Sequence, residues 1–183
     1  MDWGNEAREQ LGWHWTNHIR PRLDGLTDDE YRWEPVAGCW NLRRRGEATT
    51  SMAAGGGEWV MDFEYPEPRP APATTIAWRL GHVTVGVFGM RNASHFDGPP
   101  IDYKSVIWLP DANNALAELD AAYQRWAAGV AGLAADDWAK PVGPAEGHWA
   151  SSPYAALVLH INREAIHHMA EVLVLRDLYR NRP

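Results

Sequence analysis

The first apolar pattern of the chain lies near its N-terminus and has the period of a helix. Four large apolar side chains follow one another at intervals of four residues, namely Leu11, Trp15, Ile19 and Leu23. This spacing places them on one face of an amphipathic helix, which we predict from residue 3 to about residue 26. Pro21 falls late in the pattern, where a proline bends or ends a helix. Thr27 and Glu30 then have the spacing of a capping box, which predicts a short helical turn.

Three further segments have the same helical period. Thr74 or Thr75 can cap a second helix that runs to about residue 96 and includes three glycines. Asp111 is a suitable N-cap for a third, alanine-rich helix that ends near residue 133. The fourth helix, from about residue 152 to residue 180, has apolar side chains at helical spacing, namely Leu157, Ile161, Ala165, Met169, Val172 and Leu175.

The connections between these helices are long. Residues 35–73 are rich in Gly, Pro, Ser and Thr, and residues 97–110 contain a glycine followed by two prolines. Connections of this length are typical of segments that line a site. The glycine triplet at residues 55–57 lacks a following Lys-Ser or Lys-Thr, so we interpret it as a flexible loop rather than a phosphate-binding motif. Residues 58–65 have a short strand-like pattern that can pair locally, but we predict no sheet.

Together, the four helical patterns predict an all-α fold, a four-helix bundle with long loops between its helices. With 183 residues, of which 45% are apolar, the chain has the size and composition of one domain. We therefore predict a single bundle domain over residues 1–183.

Charge and cysteine content narrow the class of protein further. The net charge of −7 disfavours a nucleic-acid-binding surface. The single cysteine, Cys39, excludes an internal disulfide and fits a reducing compartment. We find no signal peptide and no uninterrupted apolar run of about 18 residues. We therefore expect a cytoplasmic protein without nucleic-acid or membrane partners.

The residues that can carry chemistry concentrate on the fourth helix. Glu164 and His168 are four residues apart, so they project from one face of the helix and can reach one ion. The second helix offers His82, which lies among apolar residues and has to be neutral and hydrogen-bonded or else bound to a metal. Two imidazoles and one carboxylate suit zinc or another borderline divalent ion. They leave a coordination position open for water or substrate.

The spacing leaves alternatives open. His160 lies one turn before Glu164 on the same side of the helix and is an alternative ligand. His167 points about 100° away from His168, so we do not expect both to serve one ion. It forms a rival pair with Glu171, also four residues apart. On spacing alone, such a Glu/His pair is more often a hydrogen-bonded pair than a ligand set.

Two segments resemble the DinB-like superfamily of four-helix-bundle metalloproteins, namely HINREAIHHMAEV (residues 160–172) and AWRLGHV (residues 77–83). Members typically have one histidine on the second helix and an H-x3-H pair on the helix that ends the bundle. Here Glu164 occupies the first position of that pair. A His/Glu/His set is similar to the branch that includes the metal-binding domain of mycothiol-dependent maleylpyruvate isomerase. The resemblance implies a metal ion, zinc or nickel, bound by His82, Glu164 and His168, and a homodimer.

The resemblance also implies a function. A divalent ion with an open position activates a thiol or a water molecule. The mycothiol branch favours a thiol-dependent S-transferase or isomerase-like enzyme that uses a low-molecular-weight thiol and a small-molecule substrate. Because the isomerase has a further C-terminal domain, we expect transferase chemistry from a chain that ends at Pro183. His160, His167 and Glu171 are candidates for orienting the ligands or for proton transfer.

Two other functions fit the same residues. One is a metal-dependent hydrolase, in which the activated group is water. The other is a non-catalytic bundle with a binding or stress-associated role, in which the metal only stabilises the folded state.

Overall fold

The structure is a computed structural model and describes residues 3–182. Helix α1 (Trp3–His14) continues through a π-helical turn (Trp15–Ile19) and a 3₁₀ turn (Arg20–Leu23). The 3₁₀ turn contains Pro21 and ends at Leu23, close to the predicted end of the first helix near residue 26. The short helix α2 (Asp28–Tyr31) begins after Thr27, whose hydroxyl accepts a hydrogen bond from the backbone N–H of Glu30 at 3.2 Å. The predicted cap is therefore confirmed.

The second long helical rod has three parts. Helix α3 (Ile76–Gly81) begins after Thr75, whose hydroxyl accepts from the backbone N–H of Trp78. It continues as the π-helical segment His82–Gly89 and then as helix α4 (Met90–His95). The wider π turn is not visible in a sequence pattern with a 3.6-residue period, and such turns are frequent at functional sites.

The remaining long helices lie close to their predicted bounds. Helix α5 (Ala112–Ala131) is capped by Asp111, and helix α6 (Tyr154–Arg180) follows Pro153. The connection between them contains two 3₁₀ turns, Asp137–Ala139 and Pro144–Trp149.

Within residues 3–182, four helical rods pack around one apolar core. Helix α6 packs against α1, α3 and the π-helical segment, and α5 packs against α1, α3 and the same segment. The largest fully buried apolar side chains come from all four rods and include Ile19, Leu23, Leu80, Phe88, Leu119, Trp126, Ile161 and Met169. The predicted all-α four-helix architecture is confirmed. In the part of the chain that the structure describes, no helix has the length and apolar character needed to cross a membrane.

The expectation of no sheet was wrong in the first long loop. Strand β1 (Leu42–Arg44) pairs antiparallel with strand β2 (Trp59–Met61), in the register Leu42 opposite Met61. Strand β2 lies within the strand-like segment of residues 58–65, whereas β1 was not predicted because three residues give too few alternating positions. The buried carboxylate of Asp62 supports the end of this pair by accepting hydrogen bonds from the Asn41 N–H and the Arg43 guanidinium.

Candidate metal centre

The structure brings the three predicted ligands together where the second rod crosses α6. His82 is the first residue of the π-helical segment, and Glu164 and His168 lie one turn apart on α6. The rings of His82 and His168 are perpendicular, with centroids 4.7 Å apart. His168 Nε2 lies 3.5 Å from Glu164 Oε2. His168 therefore has the His82 ring on one side and the Glu164 carboxylate on the other, where the second rod packs against α6.

Each imidazole is held through its Nδ1 atom. The Tyr103 hydroxyl lies 2.7 Å from His82 Nδ1, and Glu171 Oε2 lies 2.8 Å from His168 Nδ1. A carboxylate only accepts at neutral pH, so we assign the Nδ1 proton of His168 to this contact. Nε2 of His168 is then the atom with a free lone pair. A histidine with Nδ1 held by a carboxylate or hydroxyl and Nε2 free has the arrangement of a metal ligand.

Aromatic packing restricts the His82 ring further. Trp78 stacks on it with centroids 5.4 Å apart and an angle of 16° between the planes. Trp40, from the first long loop, lies against Trp78 at 5.9 Å. The first long loop therefore supplies part of the wall behind the candidate ligands.

Arg79 adds a cation on the Nδ1 side of His168. Its Nε atom is 3.1 Å from Glu171 Oε2, and its Nη1 atom is 3.3 Å from His168 Nδ1. Burial lowers the pKa of Arg79, but a guanidinium stays protonated in proteins. This positive charge makes the Nδ1 side of His168 unfavourable for a second cation.

A rival cluster lies beside the predicted site. His167, His168 and Glu171 have ligand atoms that all lie within 4.8 Å of one another. Spacing alone suggested that His167 and His168 do not serve one ion. Glu171 bridges the gap, because its Oε1 is 3.6 Å from His167 Nε2 while its Oε2 contacts His168. The two sites share His168, whose Nδ1 contacts Glu171 and whose Nε2 faces Glu164, so we treat them as alternatives.

His160 lies at the outer edge of the site. Its Nδ1 is 3.8 Å from Glu164 Oε1, and Arg163 Nη2 is 2.6 Å from the same nitrogen and 3.2 Å from Glu164 Oε1. The His160 side chain is 46% exposed, and that of His167 is 63% exposed. Both predicted candidates for proton transfer thus lie on the solvent side, whereas Glu171 lies against a ligand.

The protonation states of His82 and Glu164 at pH 7 are those that metal ligands require. Burial, together with His168 and Arg79 nearby, lowers the pKa of His82 to about 4, so its ring is neutral at pH 7 as a ligand has to be. Burial alone would raise the pKa of Glu164, but Arg163, His160 and His168 outweigh it and the pKa is lowered. The Glu164 carboxylate is therefore ionised and available as a ligand.

Tyr103 and Arg79 are the two contributors that sequence reasoning missed. Arg79 precedes His82 by three residues, so helical spacing places both on one face and this signal was available. Tyr103 lies in the loop of residues 97–110, which was expected to line the site. No spacing rule links a loop residue to a histidine on a helix, because only the folded loop brings them together.

The candidate site is open rather than enclosed. The Glu164 side chain is 29% exposed and Glu171 is half-buried. A groove of about 1080 Å³ between the beginnings of α1 and α6 is lined by other residues, among them Trp3, Trp138 and Leu159. The Glu164 carboxylate is therefore accessible from solvent, whereas His168 is buried.

Comparison with known proteins gives one finding. The family model of the DinB superfamily matches residues 10–172, which include all the residues discussed at this site. Comparisons with curated proteins and with solved structures gave no significant match.

Proposed function

This chain belongs to the DinB superfamily, and from that premise we propose that it is a divalent-metal-dependent enzyme that transfers a thiol. In this proposal the ion is zinc or nickel, and His82 and His168 bind it through Nε2 together with the Glu164 carboxylate. The thiol is a low-molecular-weight one of the mycothiol type, and the acceptor is a small electrophile.

The observation that carries the metal assignment is the arrangement around the two imidazoles. Both have Nδ1 engaged by an oxygen within 2.8 Å. His168 Nε2 and Glu164 Oε2, at 3.5 Å, are too far apart for a good hydrogen bond. Two ligands held about 2.05 Å from a tetrahedral zinc ion lie about 3.3 Å apart. The separation therefore fits two atoms that share an ion.

The charges support an anionic substrate. Glu164 pairs with Arg163, and Glu171 pairs with Arg79, so these four side chains cancel one another. The full charge of a divalent ion would then remain to attract an anion such as a thiolate. When bound, the ion supplies Lewis acidity, which lowers the pKa of a thiol or water in its open position.

The chain's own residues have defined tasks in this proposal. Glu171 holds the Nδ1 proton of His168 and keeps Nε2 directed at the ion. Arg79 neutralises Glu171 and keeps it against that proton. The role proposed for His160 and His167 is proton exchange with an incoming thiol, and the solvent exposure of both side chains supports it.

The test is a thiol-transfer assay with the metal-loaded protein, a low-molecular-weight thiol and an aryl halide as electrophile. We expect thiol consumption that disappears on removal of the metal and in Glu164→Ala. His95→Gln is the matched control, because His95 lies on the same helical rod but outside the site. Hydrolysis of activated esters without thiol transfer would favour the hydrolase alternative. If neither reaction occurs, the enzymatic proposal is wrong and a stabilising metal is the better interpretation.

A further inference from the structure

The turn that carries Tyr103 is stabilised by hydrogen bonds among its own residues. The Asp102 side chain accepts hydrogen bonds from the backbone N–H groups of Lys104 and Ser105, at 2.7 and 2.9 Å. The Asp102 carbonyl accepts another from the N–H of Val106 at 3.1 Å. Tyr103 therefore projects from a closed turn, and its hydroxyl reaches His82 Nδ1 on the second rod.

The glycine triplet of the first long loop supports this turn from outside. The Gly56 N–H donates to the Val106 carbonyl at 2.7 Å, and the Trp108 indole donates to the Ala54 carbonyl at 2.7 Å. A side-chain methyl group at Gly56 would clash with the Ser105 carbonyl oxygen. The close approach of the two loops thus requires glycine at this position.

A second glycine makes room for the phenol on the helical side. A methyl group at Gly86 would clash with the Tyr103 hydroxyl and would lie 3.3 Å from His82 Nδ1. The phenol is therefore enclosed between the π-helical segment and its own turn. Burial raises the pKa of Tyr103, so the group is a neutral hydroxyl.

We propose that residues 102–108, supported on Gly56, form a positioning element of the metal site that holds the Tyr103 hydroxyl against His82 and so sets the affinity for the ion. The inference rests on the proposed function, because it assumes that His82 Nε2 is a ligand. A fixed partner on Nδ1 holds the ring orientation, and a hydroxyl that accepts the Nδ1 proton leaves Nε2 available to the ion. Tyr103 acts through His82 and is a positioning residue.

The experiment measures the zinc affinity of the metal-free protein by competition with a chromophoric chelator. Tyr103→Phe keeps the ring and removes only the hydroxyl, and we expect zinc binding weakened by about 10- to 100-fold. Gly56→Ala should weaken binding as well, because the turn has to move. Gly57→Ala is the matched control, because a methyl group there would meet Ile107 at an ordinary 3.4 Å.

The double variant separates positioning from general destabilisation. With the hydroxyl already absent in Tyr103→Phe, we expect Gly56→Ala to cause no further loss of zinc affinity. A merely structural role of the loop would weaken binding by the same factor in both backgrounds, and this result would overturn the inference. So would a Tyr103→Phe variant that binds zinc as tightly as wild type. If wild type binds no zinc, the proposed function itself fails, which is a distinguishable outcome.

Discussion

His82 and His95 lie near opposite ends of one helical rod, and the hydrogen bonding of their ring nitrogens differs. Both nitrogens of His95 have partners, since Nδ1 lies 3.2 Å from the Tyr154 hydroxyl and Nε2 lies 2.9 Å from Glu146 Oε1. Its side chain is 2% exposed. Within residues 3–182, His82 has a hydrogen-bond partner only at Nδ1, the Tyr103 hydroxyl, and its ring faces His168. One histidine is satisfied by the protein, and the other is arranged to receive a ligand.

The polar cluster around His95 has a structural task. Glu146 also contacts the Arg91 guanidinium at 3.3 Å. These contacts fix the 3₁₀ turn Pro144–Trp149 to the end of α4. Buried polar groups that are paired in this way stabilise one conformation, whereas a site needs groups whose hydrogen-bonding capacity remains available. The comparison therefore teaches that the hydrogen bonding of the two ring nitrogens separates the two roles.

The largest effect on zinc affinity should come from replacing the proposed ligand His168. The structural histidine His95 is replaced for comparison. We expect His168→Ala to lose zinc affinity by more than the about 100-fold that loss of an outer partner costs. His95→Ala should retain the ion, and its free energy of unfolding should fall by about 1–3 kcal/mol because Glu146 loses a buried partner. Elemental analysis and urea unfolding of the metal-free proteins measure the two effects. Loss of the ion in His95→Ala would remove the distinction between the two ends.

A second pair of variants tests which nitrogen of His168 binds the ion. Glu171→Gln should weaken zinc binding by about 10- to 100-fold, because the proton on Nδ1 loses its charged acceptor. His167→Gln should leave the affinity unchanged, because His167 belongs only to the rival cluster. Chelator competition measures both. A loss in His167→Gln as large as in Glu171→Gln would move the ion to the Nδ1 side.

The helices and the central ligand pair could be predicted from the sequence because both depend on local periodicity. The i,i+4 spacing of Glu164 and His168 fixes their common face whatever surrounds the helix. The contact of Tyr103 with His82 could not be predicted, because it depends on two loops that meet only after folding. Strand β2 lies in a segment with a recognisable strand-like pattern, but its partner β1 escaped prediction because three residues give too few alternating positions. The rival pair of His167 and Glu171 was predicted, but the contact of Glu171 with His168 was not, because a carboxylate has two oxygens that can contact divergent side chains.

The pH dependence of the free energy of unfolding provides a further test of the environment of His82. Folding lowers the pKa of His82 from 6.5 to about 4, so between these pH values the unfolded chain binds a proton that the folded chain does not. The free energy of unfolding is therefore highest above pH 6.5 and falls as the pH falls toward 4. For this group we expect the metal-free protein to lose about 2 kcal/mol between pH 7 and pH 5.

Urea unfolding of wild type and His82→Gln at both pH values isolates this contribution. The variant has no group that titrates at this position. Between pH 7 and pH 5 its free energy of unfolding should therefore fall by about 2 kcal/mol less than that of wild type. Equal losses in the two proteins would mean that the His82 ring is as easily protonated in the folded state as in the unfolded chain.

The smallest effect should come from His160, which lies closest to Glu164 among the solvent-facing histidines. Its side chain is 46% exposed and its Nδ1 is 3.8 Å from Glu164 Oε1. Exposed ion pairs contribute at most about 1 kcal/mol, so His160→Ala should change zinc affinity by no more than about fivefold. A ligand would cost far more, so a loss like that of His168→Ala would identify His160 as the alternative third ligand. Retained affinity with reduced thiol transfer would instead support the proton-exchange role, because the binding of the ion and the movement of the proton then depend on different histidines.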